Sequence, residues 1–190
     1  MDGAIVRWLN GGVGAFAPWD LLMEALVSDY LVPVAGSLVM VGMWLWGQGR
    51  ERYLNQVAVI VGNTAVGVTN GLISAVNAAY FRRRPFLDHD LDISLFYHPT
   101  DSSFPANSAG VGFAIATAVF VRFRPLGVAL YVLAALWALS RVYVGVHYPS
   151  DVLAGAALGV LVALAFTGIY RLLDPVPRLV VRVMRRLGLA

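Results

Sequence analysis

The 190-residue chain contains no cysteine and no lysine. Without cysteine there is no disulfide, no thiolate-bound metal and no thiol nucleophile, and the redox compartment leaves no mark on the sequence. All 14 basic residues are therefore arginine, which we read as compositional bias. Charge is scarce: 13% of residues are charged against 59% hydrophobic, and mean hydropathy is +0.72. Those values exclude an ordinary soluble domain. There is no linker-like stretch and no internal repeat, so residues 1–190 are read as one membrane-embedded unit. The start lacks the basic, apolar, small-residue order of a cleaved signal peptide. The high isoelectric point comes from arginines flanking apolar runs, which argues against nucleic acid as a partner.

What is present is a series of apolar runs near the length a bilayer requires, about 20 residues each. Residues 1–28 carry Arg7, Asp20 and Glu24 among apolar side chains, and are expected to form an interfacial amphipathic helix. A transmembrane core follows over residues 30–173. Its expected spans are 30–46, 53–81, 105–121, 126–140 and 152–170, with aromatic residues at the first span's ends as an interfacial belt. The fold class is thus all-α, a polytopic membrane helical bundle of about five transmembrane helices. Residues 175–190 hold Arg178, Arg182, Arg185 and Arg186 between apolar residues, which suits a short basic helix lying on anionic membrane lipids.

Polar residues inside such a chain need a reason, because an unpaired ionisable group near lipid is costly. Asn63, Asn70, Asn77 and Arg84 recur every seven residues, which places them on one helix face with about 20° of drift per step. We read Asn63 and Asn70 as interhelical hydrogen-bonding residues. Small residues make two packing faces: Ser108, Gly112 and Ala116 on the third span, and Gly155 and Gly159 on the fifth. The loop over residues 86–104 contains Asp88, His89, Asp90, Asp92, His98 and Asp101. Its spacing matches no metal site, so it is read as a solvated acidic loop, and no metal or other cofactor is assigned.

Five spans place the two chain ends on opposite sides. Arg50, Arg52, Arg122, Arg124, Arg171 and the tail arginines then share one side, whereas Arg7, Arg82, Arg83, Arg84 and Arg141 share the other. The positive-inside rule puts the tail in the cytoplasm. Arg84, residues 105–108, Arg141, His147 and Asp151 are therefore expected together on the outer face.

That convergence suits phosphoryl transfer. Guanidinium groups keep their charge and match phosphate oxygens with planar donor forks, so Arg84 and Arg141 are candidate phosphate ligands. A neutral, oriented imidazole such as His147 can attack phosphorus, and a carboxylate such as Asp151 can take its other N–H and stabilise the charged intermediate. Ser150 is a candidate N-cap for the last span.

At these positions the chain resembles the type 2 phosphatidic acid phosphatase superfamily, membrane lipid phosphatases related to vanadium haloperoxidases. The family's third motif, Ser-Arg, five residues, His, three residues, Asp, is matched by Ser140, Arg141, His147 and Asp151. The first, Lys, six residues, Arg-Pro, is matched by Arg84 and Pro85, with Asn77 at the lysine position. The second, Pro-Ser-Gly-His, appears as Pro105, Ala106, Asn107 and Ser108. The resemblance implies a metal-free, two-step hydrolysis in which His147 is phosphorylated and water then releases phosphate. It also implies that Ser140, Asn77, Ala106, Asn107 and Ser108 line the phosphate site beside Arg84 and Arg141. Implied substrates are lipid phosphates such as undecaprenyl diphosphate, phosphatidic acid and phosphatidylglycerol phosphate, on the extracytoplasmic face of the cell membrane.

Two replacements bear on rate. Ser108 cannot serve as the family's general acid, a group whose loss costs about 10²–10⁴-fold, and Asn77 removes a positive charge beside the reacting phosphoryl group. A diphosphate lipid would suffer less, since its leaving group is itself a phosphate; His98 or Asp101 could also supply a proton. The expectations are a slowed or specialised lipid phosphatase, or a lipid-phosphate binding or transport protein on the same scaffold. The oligomeric state is not encoded in any pattern found.

Overall fold

The computed structural model describes residues 1–173 and 175–187, apart from the Arg185 side chain. The end of the tail, residues 188–190, and the part assigned to Arg185 in its basic face lie outside the described residues. Nine helices occur among them: α1 (Asp2–Asn10), α2 (Ala17–Val27), α3 (Leu31–Leu45), α4 (Gly49–Ala79), α5 (Pro85–Asp88), α6 (Asn107–Arg122), α7 (Arg124–Tyr143), α8 (Pro149–Leu172) and α9 (Pro175–Arg186). Proline opens α2, α5, α7 and α8 within the first two positions, where its fixed φ suits the helix and its missing N–H is not needed.

By length and apolarity α4, α7 and α8 can cross a membrane, and α2 with α3 makes a fourth span if the pair, bent by 58°, is one broken crossing. At 1.5 Å per residue, the 31 residues of α4 reach about 46 Å and the 15 residues of α3 only about 22 Å. The apolar run over residues 30–46 is thus too short alone for a hydrocarbon layer of about 30 Å. The region expected to form one interfacial helix folds as two, α1 and α2. Helix α6 has 16 residues and is the shorter apolar helix.

Helix α6 is central. Nine of its residues are buried, all between Ala109 and Val119, and it packs against α4, α7 and α8. A helix enclosed by protein can be apolar without matching the bilayer, which accounts for its length. Close packing depends on glycine: a Cβ on Gly155 would lie 2.2 Å from the Ala106 carbonyl oxygen, and one on Gly159 would lie 2.2 Å from that of Gly110. The small-residue face expected on the last span therefore sits against α6. Leu153, Leu161, Leu164 and Ile169 of α8 are exposed on its other side, as lipid contact requires. Helix α9 packs along α4 with Val181 buried, so at least part of its apolar face meets protein.

Because α6, α7 and α8 follow one another through short connections, the end of α4, the start of α6, the end of α7 and the start of α8 meet at one end of the bundle. Tyr53, Arg122, Arg171 and Pro177 gather around a cavity at the opposite end. Gly159→Val forces two backbones apart and is expected to cost about 1–3 kcal/mol or more, the usual range for overpacking. Gly67→Ala, where a Cβ meets nothing within 4 Å, should leave thermal unfolding in detergent unchanged or slightly raised, because alanine favours a helix interior over glycine. Equal melting of the two variants would contradict this packing.

Candidate active site

A cavity of about 550 Å3 opens at the end where α4, α6, α7 and α8 meet. Arg84 reaches it from the extended stretch after α4, Arg141 from the last turn of α7, and His147 from the link between α7 and α8. Asn77, Asn107 and Ser108 face the same space. The three elements that bring these groups together are separate in sequence, and the order of short links around α6 is what joins them.

Each cationic clamp is tied down. The Arg84 Nη1 donates to the Val146 carbonyl at 2.9 Å, Nε to the Asp101 carbonyl at 3.1 Å and Nη2 to the Asp101 carboxylate at 2.7 Å. Arg141 Nη2 pairs with Asp29 at 2.5 Å, while Phe96 stacks 4.6 Å from its guanidinium carbon. Asp29 also accepts from the Tyr97 hydroxyl at 3.0 Å. Both guanidinium side chains are buried while their carboxylate partners are exposed, so the two arginines present fixed donors and the acids lie on the solvent side. The acidic loop is accordingly more than solvated: Asp101 reaches Arg84, and Asp88 pairs with Arg83 at 3.3 Å.

His147 is buried with both ring nitrogens engaged. Nδ1 lies 2.9 Å from the Ser103 carbonyl and Nε2 lies 3.3 Å from Arg84 Nη1. A carbonyl can only accept, so Nδ1 carries the proton and the Nε2 lone pair faces Arg84 in the cavity. This corrects one expectation. Asp151 does not take the imidazole N–H directly: its oxygen lies 3.9 Å from Nδ1, beyond hydrogen-bond range. Asp151 instead accepts from the Ser103 hydroxyl, from the Tyr148 N–H at 2.8 Å and from Arg82 at 2.5 Å. Burial lowers the proton affinity of His147 below that of an ordinary histidine, the nearby Asp151 opposes this, and Arg84 adds to it.

Other expectations also shift. Ser140 is fully buried and its hydroxyl donates to the Trp137 carbonyl at 2.7 Å, within its own helix. Ala106 is buried and gives its N–H to the Asp151 carbonyl at 3.0 Å. Neither lines the cavity. Ser150 is the second residue of α8 and binds Asp2, not the helix end, and Tyr148 takes the N-cap position. Asn63 and Asn70 line the cavity below Asn77, with the Asn63 amide donating to Val59 of its own helix at 3.1 Å. The seven-residue stripe therefore faces a cavity where interhelical bonding was expected. Asn77 Oδ1, Ser108 Oγ, Trp137 Nε1 and Arg141 Nε face this region with no protein partner. Among the described residues, no three His, Asp or Glu side chains come together as a metal-binding group.

Arg82, Ser103 and Asp29 were not among the residues expected at the site. Asp101, expected as an alternative proton donor, pairs with Arg84, and Arg82 stood out only as one of three consecutive arginines.

The His147 imidazole is expected to titrate below 6.5 when followed by NMR in detergent, with its neutral form dominant at pH 6.5. Asp151→Asn, which removes the opposing carboxylate, should lower it further. A value at or above 6.5 in the unmodified protein would contradict this environment.

Residues 56–174 match the family model described as the PAP2 superfamily. Undecaprenyl-diphosphatase BcrC of Bacillus subtilis (strain 168) is 34% identical over 157 residues, covering 83% of this chain and 78% of that protein. The putative undecaprenyl-diphosphatase YbjG of Escherichia coli (strain K12) is 33% identical over 146 residues, covering 76% and 71%. The crystal structure of Aquifex aeolicus LpxE superposes with a TM-score of 0.68 at 22% identity, covering 87% of this chain and 93% of that one.

Proposed function

Because the chain belongs to the PAP2 superfamily, we propose that this membrane lipid phosphatase hydrolyses a lipid diphosphate of the undecaprenyl type through a phosphohistidine at His147. The observation that carries the reading is one cavity into which Arg84, Arg141 and the Nε2 face of His147 all open. Its substrate class draws on Ser108 and on the two relatives named as undecaprenyl-diphosphatases.

In the first step the terminal phosphoryl group binds between the guanidinium groups of Arg84 and Arg141, displacing their contacts with Asp101 and Asp29. The free N–H groups at the start of α6 add donors for its oxygens. The Nε2 lone pair attacks phosphorus, an N–P bond forms, and the P–O bond to the bridging oxygen breaks. The lipid monophosphate leaves with the bonding electrons. The imidazole gains positive charge, which the Asp151 carboxylate stabilises from 3.9 Å. In the second step water attacks phosphorus, the N–P bond breaks, inorganic phosphate departs and His147 returns to its neutral form.

A phosphate leaving group needs protonation far less than an alkoxide does. Ser108 at the leaving side is therefore compatible with a diphosphate substrate and poorly suited to phosphatidic acid. Binding without turnover, as in a lipid-phosphate carrier, is the second reading, favoured by the neutral Asn77 and Ser108 in the cavity.

Purified protein should release phosphate from undecaprenyl diphosphate at least about 10²-fold faster than from phosphatidic acid or phosphatidylglycerol phosphate, the lower end for loss of a general acid. His147→Ala should abolish release. Ser108→His combined with Asn77→Lys should raise turnover of the monophosphate lipids. Release that persists in His147→Ala, or is absent from all three lipids, would overturn the enzyme reading, and tight substrate binding without turnover would establish the carrier.

The cavity end is assigned to the extracytoplasmic face and α9 to the cytoplasm, on the arginine distribution. The absence of cysteine makes this easy to test. A membrane-impermeant maleimide should label Leu87→Cys in intact cells, and label Arg186→Cys only after permeabilisation. The opposite pattern would invert the assignment.

A further inference from the structure

The phosphatase reading uses the groups that face the cavity and leaves unexplained a chain of contacts behind His147, running to the first helix. Asp151 has no solvent exposure. A buried carboxylate is costly unless a cation and hydrogen bonds compensate it, and Arg82 supplies the guanidinium, at 2.5 Å. Arg82 Nη1 also donates to the Ser150 hydroxyl at 2.8 Å, and the guanidinium carbon lies 4.3 Å from the Tyr148 ring centroid. Asp2 of α1 pairs with its other nitrogen at 3.1 Å and accepts from Ser150.

Ser103 links this cluster to the nucleophile in three ways. Its N–H donates to the Arg82 carbonyl at 2.9 Å, its hydroxyl donates to Asp151, and its carbonyl accepts from His147 Nδ1 at 2.9 Å. Both the main chain and the side chain of Arg82 therefore act on the groups that set the tautomer of His147. Helix α1 is held at this end by its own contacts. Val6 is fully buried, and the Asn10 side chain accepts from the Asp92 N–H at 2.8 Å while donating to the Asp92 and Tyr143 carbonyls.

We propose that Arg82, anchored by Asp2, is a positioning residue for His147, acting through Asp151 and Ser103 without touching substrate. The inference rests on the phosphatase reading for its kinetic consequence and on geometry alone for its structural one. Arg83 is the natural contrast, since its side chain is 63% exposed and pairs with Asp88.

The test compares Arg82→Gln, Arg82→Lys, Asp2→Asn and Arg83→Gln in the full chain. With undecaprenyl diphosphate, Arg82→Gln should lower kcat by about 10–100-fold, by analogy with loss of the partner behind a metal-bound histidine, with KM within about twofold. Arg82→Lys should recover part of the loss, Asp2→Asn should show a smaller loss of the same kind, and Arg83→Gln should match the unmodified protein. Imidazole 15N spectra give a readout that needs no turnover: His147 should be the Nδ1–H tautomer in the unmodified protein and a mixture in Arg82→Gln.

A kcat and a tautomer both unchanged in Arg82→Gln would overturn the proposal, as would a raised KM with kcat preserved. If the unmodified protein shows no His147-dependent release, the phosphatase reading fails and the tautomer measurement alone decides the positioning role. Should Arg82→Gln not fold, the tautomer and kcat of Asp2→Asn, which retains the Arg82 charge, decide it: no change in either overturns the proposal.

Discussion

A carboxylate that water cannot reach must be answered by the protein itself. Asp151 stands at the start of α8 with no exposure, and the answer comes from three separate stretches: Arg82 after α4, Ser103 before α6 and the Tyr148 N–H beside His147. These contacts draw the ends of α4, α6 and α8 to one point. The tight α6–α8 packing at Gly155 and Gly159 continues the same alignment down the bundle. The site and the packing are thus two consequences of one closure, with the charge satisfied at the end and the backbones in contact along the shaft.

The cavity in front of His147 has a different character. Its cations are buried and pinned, but the acids that balance them sit outside in the α2–α3 break and the loop before α6. Balance on that side would be exchangeable under the proposed mechanism, since a phosphoryl group offers the same oxygens as a carboxylate. Behind His147, Asp151 has no such exposure. The imidazole thus has one rigid side and one replaceable side, the arrangement that the proposed phosphoryl transfer would use.

Much of this was legible in the chain because spacing on a helix is spacing in space. Asn63, Asn70 and Asn77 do share one face of α4, Arg84 reaches the same cavity from beyond the helix end, and the small residues of the last span do meet another helix. What spacing does not reveal is the neighbour. The stripe faces a cavity where a helix partner was expected, and Ser140, although inside a complete motif, turns its hydroxyl back into its own helix. Of the three consecutive arginines, the seven-residue spacing and Pro85 single out Arg84, while Arg82 and Arg83 are alike on paper. In the fold Arg84 enters the cavity, Arg83 lies on the surface and Arg82 pairs with Asp151, a division made by the irregular path of the chain between α4 and α5. The first 28 residues fold as two helices where one was expected, for a related reason: Asp2 and Asn10 find their partners 80 or more positions away.

Ser103 carries a last consequence. The group that holds the proton on His147 Nδ1 is its carbonyl oxygen, an atom that every residue type possesses. The tautomer of His147 is thus set by the path of a turn, and the side chain at that position bears only on Asp151. Substitution at Ser103 and displacement of its backbone are therefore separate perturbations, the first reaching the carboxylate and the second the imidazole. Chemical identity here is inherited through shape, in a form that a string of residue names does not record.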